Sequence, residues 1–119
     1  MKMNPRTIKS RDSISVYISF IVGREGKRRP ILVLSVHGEE LYFYQLTSQY
    51  KSKSKKIKSQ YYPLKNWQEV GLKKKTYVDI GLIRSVNRLD LDKITRIGHL
   101  TVTDQDGLAD FILRFKMNM

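Results

Sequence analysis

The stretch Pro30–Leu46, PILVLSVHGEELYFYQL, reads as a β-hairpin, and the fold follows from it. Pro30 to Val36 is nearly all apolar and rich in branched side chains, the pattern of a strand covered on both faces. His37-Gly38-Glu39-Glu40 makes a turn, and Leu41 to Leu46 returns as the partner strand. Upstream, Ser13 to Phe20 alternates strictly, with Ile14, Val16, Ile18 and Phe20 on one side and Ser13, Ser15, Tyr17 and Ser19 on the other. That is a strand with one buried face. A charged, glycine-containing loop, Gly23 to Arg28, joins it to the hairpin, so the first fifty residues predict a three-stranded antiparallel meander. Residues 1–11 are polar, contain Pro5 and read as a flexible arm, which leaves 12–119 as a single domain.

Downstream, residues 51–60 (KSKSKKIKSQ) hold one apolar residue and predict an exposed lysine-rich loop. Tyr61 to Val70 predicts a brief helical turn or irregular segment ending at Gly71. Thr76–Ile80 and Leu82–Val86 predict a bent strand, or two short ones, broken at Gly81, and Asp90–Lys93 a single helical turn. A better helix is expected from Thr103, with Asp106 in a capping-box-like position and Leu108, Phe111, Ile112 and Phe115 on one face. The sum is a mainly β, α+β domain: a small, strongly twisted sheet or half-open barrel of about five to seven strands, closed by a C-terminal amphipathic helix.

Composition narrows the function. The chain has 119 residues, enough for one real core, and no cysteine, which excludes disulfides, zinc ribbons and thiol catalysis and fits a reducing cytoplasm. No apolar run approaches a membrane span and no signal-peptide pattern opens the chain, so a cytoplasmic protein without a membrane partner is expected. Twenty-three Lys and Arg against eleven Asp and Glu give a formal charge of +12, which points to a polyanion. The excess is segregated: +6 over residues 1–30, −2 over 31–50, +8 over 51–75, and zero thereafter. A phosphate-binding face accounts for that segregation, and surface solvation is the plainer alternative.

Several chemistries have no support in the sequence. The two histidines, His37 and His99, lie in a turn and just before the last helix, with no spacing that brings both rings to one phosphate. Asp90, Asp92, Asp104 and Asp106 form local pairs at helix starts, where the helix dipole explains them more simply than a metal centre does. There is no glycine-rich phosphate loop and no nucleophile elbow. What remains is Lys27-Arg28-Arg29-Pro30 opening one strand of the hairpin and Thr47-Ser48-Gln49 closing the other. Pairing through the 37–40 turn brings Arg29 and Thr47 to the same end of the sheet. A guanidinium that grips two phosphate oxygens beside hydroxyls that donate to a third makes a phosphate site. The competing reading is a surface arginine and an ordinary strand-end hydroxyl.

GREGKRRPILVLS (Gly23–Ser35) resembles the Arg-Pro segment of MazF/PemK-type toxins, and LTSQYKS (Leu46–Ser52) is similar to their Thr-x-Gln stretch. VDIGLIRSV (Val78–Val86) resembles their later strand with its Ile-Arg-[Ser/Thr] ending, and KITRIGHLT with the helix after it resembles their C-terminus. All four agree in order and spacing over roughly residues 12–115. The resemblance implies a half-open SH3-like barrel of the PemK/CcdB type, usually a homodimer. It implies a metal-independent endoribonuclease needing no cofactor, acting on single-stranded RNA, in practice mRNA, and neutralised by a cognate antitoxin. Arg29 matches the arginine at the scissile phosphate and Thr47 the threonine beside it; Ser48 and Gln49 match less strictly.

Cleavage must take the 2′-hydroxyl proton, stabilise the phosphorane and protonate the 5′ oxygen, leaving a 2′,3′-cyclic phosphate. A guanidinium suits the second and third tasks and is a poor base, its pKa lying above about 12. Glu25 and Asp79 are the carboxylates available as base, each also readable as a plain surface or strand-end charge. Lys27, Arg28 and Gln49, with Lys51, Lys53, Lys55, Lys56 and Lys58 of the lysine run, are the candidate RNA contacts, the run otherwise being a solvated insertion. Tyr61, Tyr62 and Trp67 could stack on bases, but an anchoring role in the core is the plainer reading for Trp67. A non-catalytic nucleic-acid-binding barrel and a gyrase-poisoning toxin of the same fold are the alternative functions. The positive charge fits the first better than the second.

Overall fold

The computed structural model describes residues 8, 12–17, 28–90 and 95–118. Among these residues six strands form one sheet: β1 (Asp12–Tyr17), β2 (Arg28–His37), β3 (Glu40–Thr47), β4 (Tyr61–Pro63), β5 (Tyr77–Asn87) and β6 (Thr95–His99). Among the same residues three helices accompany them: α1 (Lys55–Lys58), α2 (Trp67–Val70) and α3 (Val102–Met117). The strand order is β4-β5-β3-β2-β1-β6, and every neighbouring pair is antiparallel. The meander of the first three strands is as the alternation predicts. Gly38 adopts φ 61° in the β2–β3 turn, a left-handed conformation that a residue with a Cβ adopts only under strain.

The central hairpin is covered on both faces. Ile31 and Val33 pack with Leu41, Phe43 and Ile8 on one side, while Leu32 joins Tyr44, Leu46, Val78 and Leu108 on the other. The second face is the larger core and receives Phe111, Ile112 and Phe115 of α3, the stripe that the helical spacing predicts. Trp67 packs against this core and anchors α2. Of the N-terminal arm only Ile8 is described, and it is 3% exposed within the smaller core, so that residue is structural.

The sheet curls until its two edges approach. α2 follows edge strand β4, and its C-terminal end lies against the opposite edge strand, β6. A Cβ added at Gly98 would stand 1.8 Å from the Val70 carbonyl oxygen, and one at Gly71 (φ 109°) 2.6 Å from that of Ile97. Only glycine permits this approach, and the half-open barrel closes there.

Four expectations are changed or narrowed. The 51–60 run is not simply a loop, because Ser54 caps a turn of helix, its hydroxyl accepting from the Ile57 amide at 3.3 Å. β5 is one continuous strand through Gly81, with a register irregularity opposite β3. The last helix begins at Val102 with Thr101 as its cap, so Asp104, not Asp106, occupies the third helical position. The expected turn at Asp90–Lys93 is a 3₁₀ turn at Arg88–Asp90, and residues 91–94 lie outside the described residues. Ile18, Phe20 and the Gly23–Lys27 part of the first loop also lie outside them.

Candidate functional site

Strand register places the candidate residues. Ile31 on β2 pairs with Gln45 on β3, Gln45 with Asp79 on β5, and Asp79 with Tyr61 on β4. Side chains opposite one another share a face, so these four form a row across the sheet. Two residues further out, Arg29 comes alongside Thr47, which pairs with Tyr77. Two residues inward, Phe43 pairs with Arg84. All lie on the face carrying the smaller core, opposite α3. Where that core ends, the face opens into a cleft of about 360 Å³ whose polar wall includes Arg29, Thr47, Gln45, Asp79, Tyr61 and Arg84. Lys53 and Gln49 complete its rim.

Among the described residues the cleft is cationic, with three positive side chains against the carboxylate of Asp79. Arg29 is exposed and Thr47 half-buried. The Gln49 amide donates to Thr47 Oγ1 at 3.0 Å, which fixes the oxygen and leaves the hydroxyl proton to be donated. Asp79 Oδ1 accepts from the Gly81 amide at 2.9 Å, so the carboxylate is held in place from the side of the strand irregularity. Burial, and secondarily the Asp79 charge, push the Tyr61 phenol above its ordinary value, making it a proton donor and not a base at neutral pH. Among the described residues no three His, Cys, Asp or Glu side chains cluster as metal ligands do.

The other candidates are dispersed. Ser48 is exposed and lies in an adjoining hollow outside this cleft. Lys51 lies further along, and Lys58 sits over the Tyr50 ring at 5.0 Å. Lys55 and Lys56 are exposed on α1 and do not line the cleft. Arg28 is paired with Tyr17 in the β1–β2 ladder, and Glu25 and Lys27 lie outside the described residues. Tyr62 is buried, donating its hydroxyl to Asp104 at 2.8 Å, so it does not face a ligand. Arg84 and Gln45 are cleft residues that the sequence does not single out, although Arg84 is the arginine of the quoted Ile-Arg-Ser segment.

The fold of this chain is shared with solved structures of MazF toxins. One is the Mycobacterium tuberculosis toxin MazF-mt6, at 19% identity and TM-score 0.61, covering 86% of this chain and 92% of that one. Another is the MazE–MazF complex of Deinococcus radiodurans, at 16% identity and TM-score 0.60, covering 87% and 88% respectively. At these identities the likeness establishes the fold, and it agrees with the resemblance read from the sequence. No family model and no curated protein matches the sequence.

Proposed function

We propose that the chain is the toxin of a toxin–antitoxin pair and acts in the cytoplasm as an endoribonuclease on single-stranded RNA, mRNA being the expected target. The observation that carries this reading is the convergence of Arg29, Thr47 and Asp79 in one cationic cleft on the MazF fold. In the reaction, the 2′-oxygen of a ribose attacks the adjacent phosphorus while the P–O5′ bond breaks. The 2′-hydroxyl proton passes to the Asp79 carboxylate, and a proton returns to the 5′ oxygen from the Arg29 guanidinium. The products are a 2′,3′-cyclic phosphate and a 5′-hydroxyl, with no water consumed. Arg29 faces the phosphate where charge develops in the phosphorane, and Thr47 donates to a non-bridging oxygen. Arg84, from the other side of the cleft, adds a second cation.

Among the described residues the cleft is lined by one carboxylate, without the clustered acidic ligands of a two-metal nuclease. The purified protein is therefore expected to cut a long RNA in EDTA into discrete fragments ending in 2′,3′-cyclic phosphate. Silence in chelator, with activity restored by magnesium, would sink the mechanism.

The same reading carries a homodimer and a cognate antitoxin of opposite charge, as befits a chain at +12. The apolar surface available to a second copy lies away from the core of the hairpin. Ile31, Leu32, Val33 and Phe43 are fully covered within the protomer. Leu34, Tyr42 and the more than half-exposed Ile83 remain around an open apolar hollow. Sedimentation at tens of micromolar is expected to give a dimer, and a monomer there would count against it.

A further inference from the structure

Three consecutive lysines, Lys73, Lys74 and Lys75, occupy the loop between α2 and β5, and all are exposed. Two hollows continue the Arg29 cleft toward them. The first, about 280 Å³, shares Arg29, Thr47 and Gln49 with the cleft and reaches Lys73 and Lys74. The second, about 580 Å³, shares Gln49 and Lys74 with the first and runs out to Lys51 and Lys75. Asp79 lines the cleft, whereas neither continuation is lined by an Asp or Glu among the described residues.

The lysines are held in place by the fold. Tyr50 stacks on Tyr77 at 4.4 Å between ring centres and 10° between planes, tying the segment after β3 to the start of β5. Lys75 Nζ lies 5.6 Å from the centre of the Tyr77 ring. Thr76 Oγ1 donates to the Lys74 carbonyl at 2.8 Å, and the Leu64 amide donates to the Thr76 carbonyl at 3.0 Å, which anchors the loop backbone. The loop that carries the three lysines therefore stands beside the cleft before any ligand arrives. Lys55 and Lys56, equally exposed, line none of the three hollows.

We propose that Lys73, Lys74 and Lys75 form a second phosphate subsite, continuous with the Arg29 cleft, that holds the RNA backbone on one side of the scissile phosphate. This rests on the ribonuclease reading and gives the bound strand a path: it leaves the cleft away from Asp79 and toward Lys74. Lysine ammoniums act as point charges, so the subsite grips any sequence.

The test uses the intact protein and a uniformly 2′-O-methylated RNA oligonucleotide, which keeps its phosphates and lacks the attacking hydroxyl. Binding is followed by fluorescence anisotropy over a salt series for the wild type, the triple variant Lys73→Gln/Lys74→Gln/Lys75→Gln and the double variant Lys55→Gln/Lys56→Gln. Two to three lost phosphate contacts should flatten the log–log salt dependence by about 1.4 to 2, while the double variant should change it by less than about 0.3. The triple variant should also keep its cleavage rate on a short RNA confined to the Arg29 cleft and lose rate on a longer one at subsaturating RNA. If the triple variant binds with the wild-type slope, or if the double variant flattens it equally, the subsite is overturned while the ribonuclease reading stands. A wild type that neither binds nor cuts RNA overturns both.

Discussion

Replacing Arg29 by alanine is expected to lower the rate of RNA cleavage by about a hundred- to a thousandfold, the loss found when one preorganised donor to a developing oxyanion is removed. RNA binding should weaken much less, and its salt dependence should flatten by about 0.7, the share of one phosphate contact on a single strand. The asymmetry follows from where Arg29 stands. It is exposed at the open end of β2, so in the proposed ground-state complex it would meet one phosphate among several in competition with water. In the phosphorane the same phosphate carries more charge, and the guanidinium fork can engage two of its oxygens. Arg29→Lys keeps the charge but loses the fork, and should fall between alanine and wild type. The deciding measurement is the pair of effects on one RNA, single-turnover cleavage and binding. Equal losses in both would make Arg29 a ligand contact only, and the non-catalytic nucleic-acid-binding barrel would become the better reading.

That Arg29 and Thr47 lie at the same end of the sheet was legible in the sequence because it is a local consequence of one hairpin turning at Gly38. Counting outward from the His37–Glu40 pair sets Arg29 opposite Ser48, and an irregularity between Val33 and Ser35 shifts the register by one and brings it alongside Thr47. Arg84 was not legible by the same counting. From Asp79, regular alternation puts residue 84 on the opposite face. The irregularity in the β3–β5 ladder, where Gln45 pairs with Asp79 but Phe43 with Arg84, brings it back to the cleft. No local residue pattern announces that slip. Lys73–Lys75 were hidden for a related reason, since their loop reaches Thr47 only because β5 crosses to pair with β3. The closure of the barrel is likewise long-range, bringing Val70 onto Gly98. Spacing at the last helix misplaces the cap by two residues, because Thr101 and Thr103 both have an aspartate three positions on. What separates them is tertiary, and it gives Asp104 a role that a helix-dipole argument does not reach.

Asp104→Ala is expected to destabilise the domain by about 3–5 kcal/mol, the range for breaking a buried charged network. Asp104 is fully buried, and three donors converge on its carboxylate. The Tyr62 hydroxyl and the Lys65 amide meet Oδ1 at 2.8 and 2.9 Å, and the Asn66 amide meets Oδ2 at 2.8 Å. In a capping box this side chain would turn back to the Thr101 amide; here it bonds the segment after β4 to the start of α3. Asn66 reinforces the clamp, donating from Nδ2 to the capping Thr101 Oγ1 at 2.9 Å. Alanine would strand the buried phenol and take the acceptor from two part-buried backbone amides, while loosening the helix that covers the larger core. A fall in Tm of more than about 10 °C is expected for a domain of this size. Tyr62→Phe removes one donor and should cost only about 1–2 kcal/mol. Burial first, then the hydrogen bond to Asp104 and its charge, push the Tyr62 phenol well above its ordinary value. The folded state therefore keeps a proton that the unfolded chain releases above about pH 10, so this part of the stability is present at neutral pH and declines as pH rises past that point. Thermal melts of wild type, Asp104→Ala and Tyr62→Phe at pH 7 and above pH 10 check both statements. A melting temperature unchanged by Asp104→Ala would show that the clamp does not hold the helix. A Tyr62→Phe variant losing stability above pH 10 as steeply as wild type would show that the phenol is not the group responsible.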